Sequence, residues 1–340
     1  PQNSAPLGIR SETPPWIALT LGETVVNGDG GPGCLAGGGK LGAMVFLPRL
    51  LAASQRANGR PARAFWGLRS LLQITAWMGV IGGSGCATSS ATPRVDVTEH
   101  VVPVSGASLV VDELAPAAGG RPDVVVLLQG GQLGRELWHE VAEQLGRDHR
   151  VLVPDFRGFG ASPMNSEPYQ HHRDVLAILD RLGVDRAHFV GLSLGGRVAI
   201  DLALVAPERV QTLCLVGPGV SGWRFDGASF AAIQAAVARG DSQMAAEAWL
   251  RHDYVTSSLR HSERARRLRQ LVLANQHVWL RPQSERPLEP PAIDRLDEIA
   301  IPTLLLVGTD DVEDIQRIAD RLEAGIDGVR REDVPGGGHL

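Results

Sequence analysis

Three residues in this chain have the types and the surroundings needed for nucleophilic chemistry: Ser193, Asp311 and His339. Ser193 lies in Gly191-Leu192-Ser193-Leu194-Gly195-Gly196. An apolar, β-type run, Ala187 to Val190, precedes it, and a helix-type run, Arg197 to Val205, follows and stops before Pro207. A small-x-Ser-x-small turn between strand and helix bends the backbone tightly and lifts the hydroxyl clear of the sheet, at a helix N-terminus where free N–H groups favour negative charge. By itself the pentapeptide is a weak signal, because the chain holds 40 glycines and such a turn can equally carry a capping serine. Two later segments strengthen it. Ile301 to Asp311 reads as a buried strand running into a turn with carboxylates, and Val334 to Leu340 as a strand end, a glycine turn and a histidine. A serine hydroxyl is a poor nucleophile until a histidine removes its proton and a carboxylate fixes that histidine's tautomer. The order Ser, Asp, His places each group past the carboxyl end of an expected strand, where open α/β sheets bind ligands.

Further motifs surround these residues. Asp155-Phe156-Arg157-Gly158-Phe159-Gly160-Ala161-Ser162 follows one expected strand, and Leu127-Leu128-Gln129-Gly130-Gly131 closes another. Together with Gly308-x-x-Asp311 and Gly338-His339-Leu340 they resemble the α/β-hydrolase family over roughly residues 96–340. The resemblance implies a mostly parallel, doubly wound sheet with a small helical cap inserted after the sixth strand, at about 219–291. It implies Ser193 as nucleophile, Asp311 as acid and His339 as base, with the backbone N–H groups of Leu194 and Gly131 as an oxyanion hole. It implies no cofactor and no metal. Gln129 stands where the family usually has histidine, a change a hydrogen-bonding amide can tolerate. Asp310 and Asp314 flank Asp311, so the acid assignment could slip. The family also leads one to expect a final helix beyond His339; without it, apolar side chains on one sheet face should lie open. The activity implied is hydrolysis of a small ester or lactone through an acyl-enzyme. C–C bond hydrolysis, amidase and perhydrolase activity stay open, as does a non-catalytic protein with this fold or an inactive fragment, truncated before the final helix.

The elements that must position these groups are legible as periodic runs. Val101 to Val104 and Ser108 to Glu113 read as a hairpin, and Asp123 to Leu128, His149 to Pro154 and Gln211 to Val216 as strands. Trp138, Val141, Ala142 and Leu145 recur at helical spacing, as do Val175, Ile178, Leu179 and Leu182, and Ile315, Ile318, Ala319 and Leu322. Between Gly219 and about Pro291 strand signals give way to helical pieces at 230–239, 242–251 and 262–280. Trp223, Trp249, Tyr254 and Trp279 there either line an acyl pocket or form the cap's own core. Arg264, Arg266, Arg267 and Arg269 read as a solvated helix face, with a carboxylate-bearing substrate as the alternative.

Composition narrows the rest. A net charge of −5 over 340 residues gives no basic footprint for nucleic acid; the small ester-like molecule expected as partner is what the family resemblance implies. Cys34, Cys86 and Cys214 are too scattered for a metal cluster or disulfide framework. His171-His172 lacks ligand spacing and reads as surface. Residues 1–95 read as a disordered arm. Within it, a basic stretch, an apolar run from Leu71 to Ile81 and Gly85-Cys86 followed by Ser and Thr resemble a bacterial lipoprotein signal at about 60–86. Translation from Met44 would bring that signal near an N-terminus. Cys86 would then carry a lipid and the chain would sit in the bacterial envelope; otherwise the location expected is the cytoplasm.

Overall fold

The structure, a computed structural model, describes residues 94–340 apart from 118, 121, 166, 226–229, 261 and 283. Residues 1–93 of the arm, with its signal and Cys86, lie outside the described residues, and Val95 at the arm's expected end already belongs to a strand. In chain order the strands and helices are β1 (Val95–Val104), β2 (Ala107–Pro116), β3 (Val124–Leu128), α1 (His139–Leu145), β4 (Arg150–Pro154), α2 (His171–Arg181), β5 (Ala187–Leu192), α3 (Leu194–Val205) and β6 (Val210–Val216). Four helices follow: α4 (Ala231–Ala238), α5 (Ser242–Trp249), α6 (Asp253–Thr256) and α7 (Ser262–Ala274). The chain then returns to the sheet through β7 (Thr303–Gly308), α8 (Glu313–Gly325) and β8 (Arg330–Val334). No helix among the described residues is long and apolar enough to cross a membrane.

The eight strands form one sheet in the order β1-β2-β4-β3-β5-β6-β7-β8. The pairs β1–β2 and β2–β4 are antiparallel, and every later pair is parallel. Strands buried on both faces read as continuous apolar runs, and Val124-Val125-Val126-Leu127-Leu128 is such a run. Its alternate side chains feed two cores. Val126 and Leu128 join the larger one with Phe189, Leu213, Leu215, Ile178, Ile200 and Ile318. Val125 and Leu127 join the smaller one with Trp138, Ala142 and Leu145 beneath α1. The expectation of an open sheet face is not met: Val190, Cys214, Leu304 and Leu306, on that smaller-core side, are buried.

The loop after β4 is locked by charge. Asp155 is fully buried and accepts hydrogen bonds from the backbone N–H of Arg135 at 2.7 Å and of Ala161 at 2.9 Å. Arg157, also buried, makes a two-pronged pair with Asp174 on α2 at 2.7 and 3.0 Å. Bidentate guanidinium–carboxylate geometry is what makes such burial tolerable.

His171 and His172 are not on the surface. Both are buried at the start of α2, because that turn is capped by the loop after β4. The His171 ring lies 4.6 Å from Phe156, 5.0 Å from Tyr169 and 6.2 Å from Phe159. Burial pushes His171 down to about 3 and His172 to about 4. A histidine whose folded value is depressed excludes a proton that the unfolded chain takes up, so its contribution to stability is lost as pH falls from 6.5 towards 3. Between pH 7 and pH 5 the native protein should therefore lose about 2 kcal/mol more than His171→Phe does. Denaturant unfolding at the two pH values measures this; equal losses would mean that the folded ring takes up the proton.

Candidate active site

Ser193 connects β5 to α3 at φ 51°, ψ −108°, a conformation that costs an L-residue about 1–3 kcal/mol unless its surroundings impose it. The flanking glycines make it possible. A Cβ on Gly191 would lie 2.4 Å from the Gly195 carbonyl oxygen, and one on Gly195 would lie 2.2 Å from the Leu128 carbonyl oxygen. Backbone bonds fix the turn from both sides. The Ser193 N–H donates to Val216 O at 3.0 Å, while Ser193 O accepts from Arg197 N at 3.1 Å and Gly219 N at 2.9 Å.

Asp311 follows β7 and His339 follows β8, so the parallel pairing of these strands brings the two loops together. The Asp310 N–H donates to Gly337 O at 2.8 Å. His339 Nε2 lies 2.9 Å from Ser193 Oγ, and Nδ1 lies 3.1 Å from both carboxylate oxygens of Asp311. The His339 and Asp311 side chains are 3% and 1% exposed, which shields this pair from water. Asp311 Oδ1 also accepts from Val312 N at 2.8 Å. Asp310 points elsewhere and pairs with Arg260 at 2.7 Å near the surface. The Tyr254 ring meets His339 edge to face at 4.7 Å. Behind the pair stands Gly217, at φ +45°, where a Cβ would come within 3.0 Å of Asp311 Oδ2 and 3.3 Å of His339 Nδ1.

Ser193 and His339 open into a cavity of about 400 Å³. Gly131 and Leu194 line it beside Ser193. The loop carrying Gly131 is closed by Gln129, whose amide donates to Leu133 O at 2.7 Å. The alternatives for the four aromatic residues divide. Trp223, Trp249 and Tyr254 line the cavity, whereas Trp279 is buried against Trp249 at 5.9 Å. Phe225 and Phe230 complete the aromatic wall.

The arginine run on α7 does not line the cavity. Arg267 pairs with Glu140 and Arg269 with Glu247. The charged groups that do line it are Arg197, Arg281 and Glu285, none of which the sequence pattern marks. One signal was available for Arg197: it lies four residues after Ser193 on a helix whose only other charged residue is Asp201, and i,i+4 residues share a face. Burial alone would raise the Glu285 carboxyl, but Arg197, above all, holds it below its ordinary range.

The family model for the α/β hydrolase fold matches residues 123–340, and the chain belongs to that family. A 2-hydroxy-6-oxo-6-phenylhexa-2,4-dienoate hydrolase from Burkholderia cepacia is 36% identical over 111 residues, covering 30% of this chain and 39% of the relative. The chain thus spans about two fifths of the length of the curated relatives it matches. Among solved structures, a hydrolase from Pseudomonas aeruginosa PA01 is 28% identical with a TM-score of 0.59, over 72% of this chain and 91% of that one. An esterase from Rhodococcus sp. ECU1013 shares the fold at 23% identity and a TM-score of 0.57, over 72% and 91% of the two chains.

The position of Gly217 gives a test of how tightly the Asp311–His339 pair is held. Gly217→Ala should cost about 1–2 kcal/mol of stability for its backbone conformation. It should also lower turnover of a model ester by roughly tenfold to a hundredfold, the effect of a displacement near 1 Å at a reacting centre. Parental turnover in a folded variant would show that the pair tolerates displacement.

Proposed function

We propose that this chain is a serine hydrolase that cleaves a small carboxylic ester or lactone. The observation that carries the reading is the continuous chain of hydrogen-bond distances from Ser193 Oγ through His339 to Asp311, opening directly into a cavity with an aromatic wall. Ser193 Oγ attacks the substrate carbonyl carbon while His339 Nε2 takes its proton. Asp311 accepts a hydrogen bond from Nδ1–H, which sets the tautomer and stabilises the imidazolium. The oxyanion forms beside the N–H groups of Leu194 and Gly131, donors that are fixed before the charge develops. His339 then gives the proton to the leaving oxygen. Water, activated by the same histidine, attacks the acyl-enzyme and releases the acid.

The helical segment between β6 and β7 acts in this reading as a lid that supplies the aromatic wall. Its aromatic side chains exclude water from the acyl-enzyme and favour an apolar acyl group. The Pseudomonas aeruginosa neighbour, itself described as a hydrolase, supports the general reaction class.

Two substitutions test the assignment. Ser193→Ala should lower kcat/KM for a short-chain ester by about four to six orders of magnitude while the protein still folds, since the oxyanion hole and binding alone leave only residual catalysis. Asp311→Asn should cost about 10⁴-fold and Asp310→Asn far less, because only one carboxylate faces the imidazole. Parental turnover in folded Ser193→Ala, or equal losses at positions 310 and 311, would overturn these roles.

A further inference from the structure

Two non-glycine residues among the described residues hold a positive φ: Ser193 at 51° and Gln132 at 62°. Both line the cavity. For Ser193 the strained turn presents a nucleophile. Gln132 so far has no role. Its backbone region suits glycine and strains a residue that carries a Cβ, and non-glycine residues held in such regions cluster at active sites.

The loop around Gln132 is pinned against the turn at Ser193. A Cβ on Gly130 would meet Leu192 Cδ2 at 3.3 Å, and one on Gly195 would meet the Gln129 carbonyl oxygen at 2.8 Å. Gln132 follows Gly130 by two residues, at most about 7 Å of backbone. Beyond it the chain is tied by the Gln129 amide, which donates to Leu133 O, and by the Arg135 N–H, which donates to Asp155 Oδ1, each at 2.7 Å. A backbone fixed on both sides cannot relax its φ in between. The two glutamines of this loop differ. The Gln129 amide closes the loop, and its Oε1 is sealed inside the protein. Gln132 is only 7% exposed and lines the cavity, and no group among the described residues hydrogen-bonds its side-chain amide. An amide withdrawn from water without a partner is costly unless something meets it in use.

We propose that the Gln132 side-chain amide donates a hydrogen bond to the substrate's carbonyl oxygen as that oxygen becomes an oxyanion. It is a third donor beside the backbone N–H groups of Leu194 and Gly131. A donor carried on a pinned backbone is in place before the negative charge forms, the condition under which such donors act most strongly. The charge exists only in the tetrahedral intermediate and the transition states around it, so the contact raises kcat and leaves KM nearly unchanged. This role rests on the serine hydrolase reading above.

Gln132→Gly is the informative substitution, because glycine adopts this backbone without strain and the variant should fold. With 4-nitrophenyl butyrate its kcat should fall by about a hundredfold while KM stays within about threefold of the parent. The inhibitor 1,1,1-trifluoroheptan-2-one, whose adduct with a serine carries the same oxyanion, should act about a hundredfold more weakly on the variant. Gln132→Glu keeps the length of the side chain but sets a carboxylate beside the developing charge, so it should lower kcat further than Gln132→Gly does. A parental kcat in Gln132→Gly, a loss confined to KM, or undiminished inhibition by the ketone overturns the role. So does a higher kcat in Gln132→Glu than in Gln132→Gly, which would mean that the side chain only fills space. Each of these results leaves the hydrolase reading standing. Absence of ester turnover in the wild type removes that reading, and this role with it.

Discussion

Ser193 keeps a backbone conformation that L-residues avoid, and the packing around it is what holds it there. The strain is spread over few atoms. Gly191 and Gly195 let the two arms of the turn approach closely, and the Leu128 carbonyl closes the space beneath. The backbone of this turn is held by β5 before it, α3 after it, β3 below and β6 beside it, three of them central strands of the sheet. A local conformation disfavoured by about 1–3 kcal/mol persists only where such surroundings over-determine it. The parallel core is therefore more than a scaffold: it fixes one hydroxyl to within the tolerance of a hydrogen bond.

The same logic extends along the carboxyl edge of the sheet. Register between β7 and β8 sets Asp311 beside His339, and Gly217, following β6, leaves room for the pair. Each of the three groups comes from a different loop, but each loop begins at a strand that is hydrogen-bonded to its neighbours. The cavity joins this edge to the helical segment between β6 and β7. That segment contributes an aromatic surface on one side of the reacting pair. The chain leaving it contributes Arg281 and Glu285 on the other. Glu285 is tied to the core twice, by its ion pair with Arg197 and by backbone pairing with Tyr169.

Much of this was legible in the residue order, for a physical reason. The turn at Ser193 and the loops carrying Asp311 and His339 are each defined by contiguous residues, where a strand, buried at β5 and β7, ends in a short turn that contains glycine and a polar side chain. Helices α1, α2 and α8 were legible because their inner faces repeat every three or four residues. The hairpin strands β1 and β2 run further than expected, since β1 is an exposed edge whose side chains carry little apolar pattern. His171 was misread because its shell, though partly close in sequence, closes only when the loop after β4 folds back over α2. Arg197 and Glu285 are 88 residues apart and meet only through the fold, so no local pattern joins them. The α7 arginines attracted attention by density, yet the partners of Arg267 and Arg269 are carboxylates on neighbouring helices.

Covalent capture of the nucleophile tests the central claim most directly. The folded protein would be incubated with a diethyl 4-nitrophenyl phosphate probe, digested, and its peptides weighed. The account predicts one stoichiometric diethyl phosphate adduct on Ser193, formed quickly with release of nitrophenolate and abolished when the protein is unfolded. No adduct on the folded protein, or one carried by a different serine at comparable rate, would contradict it.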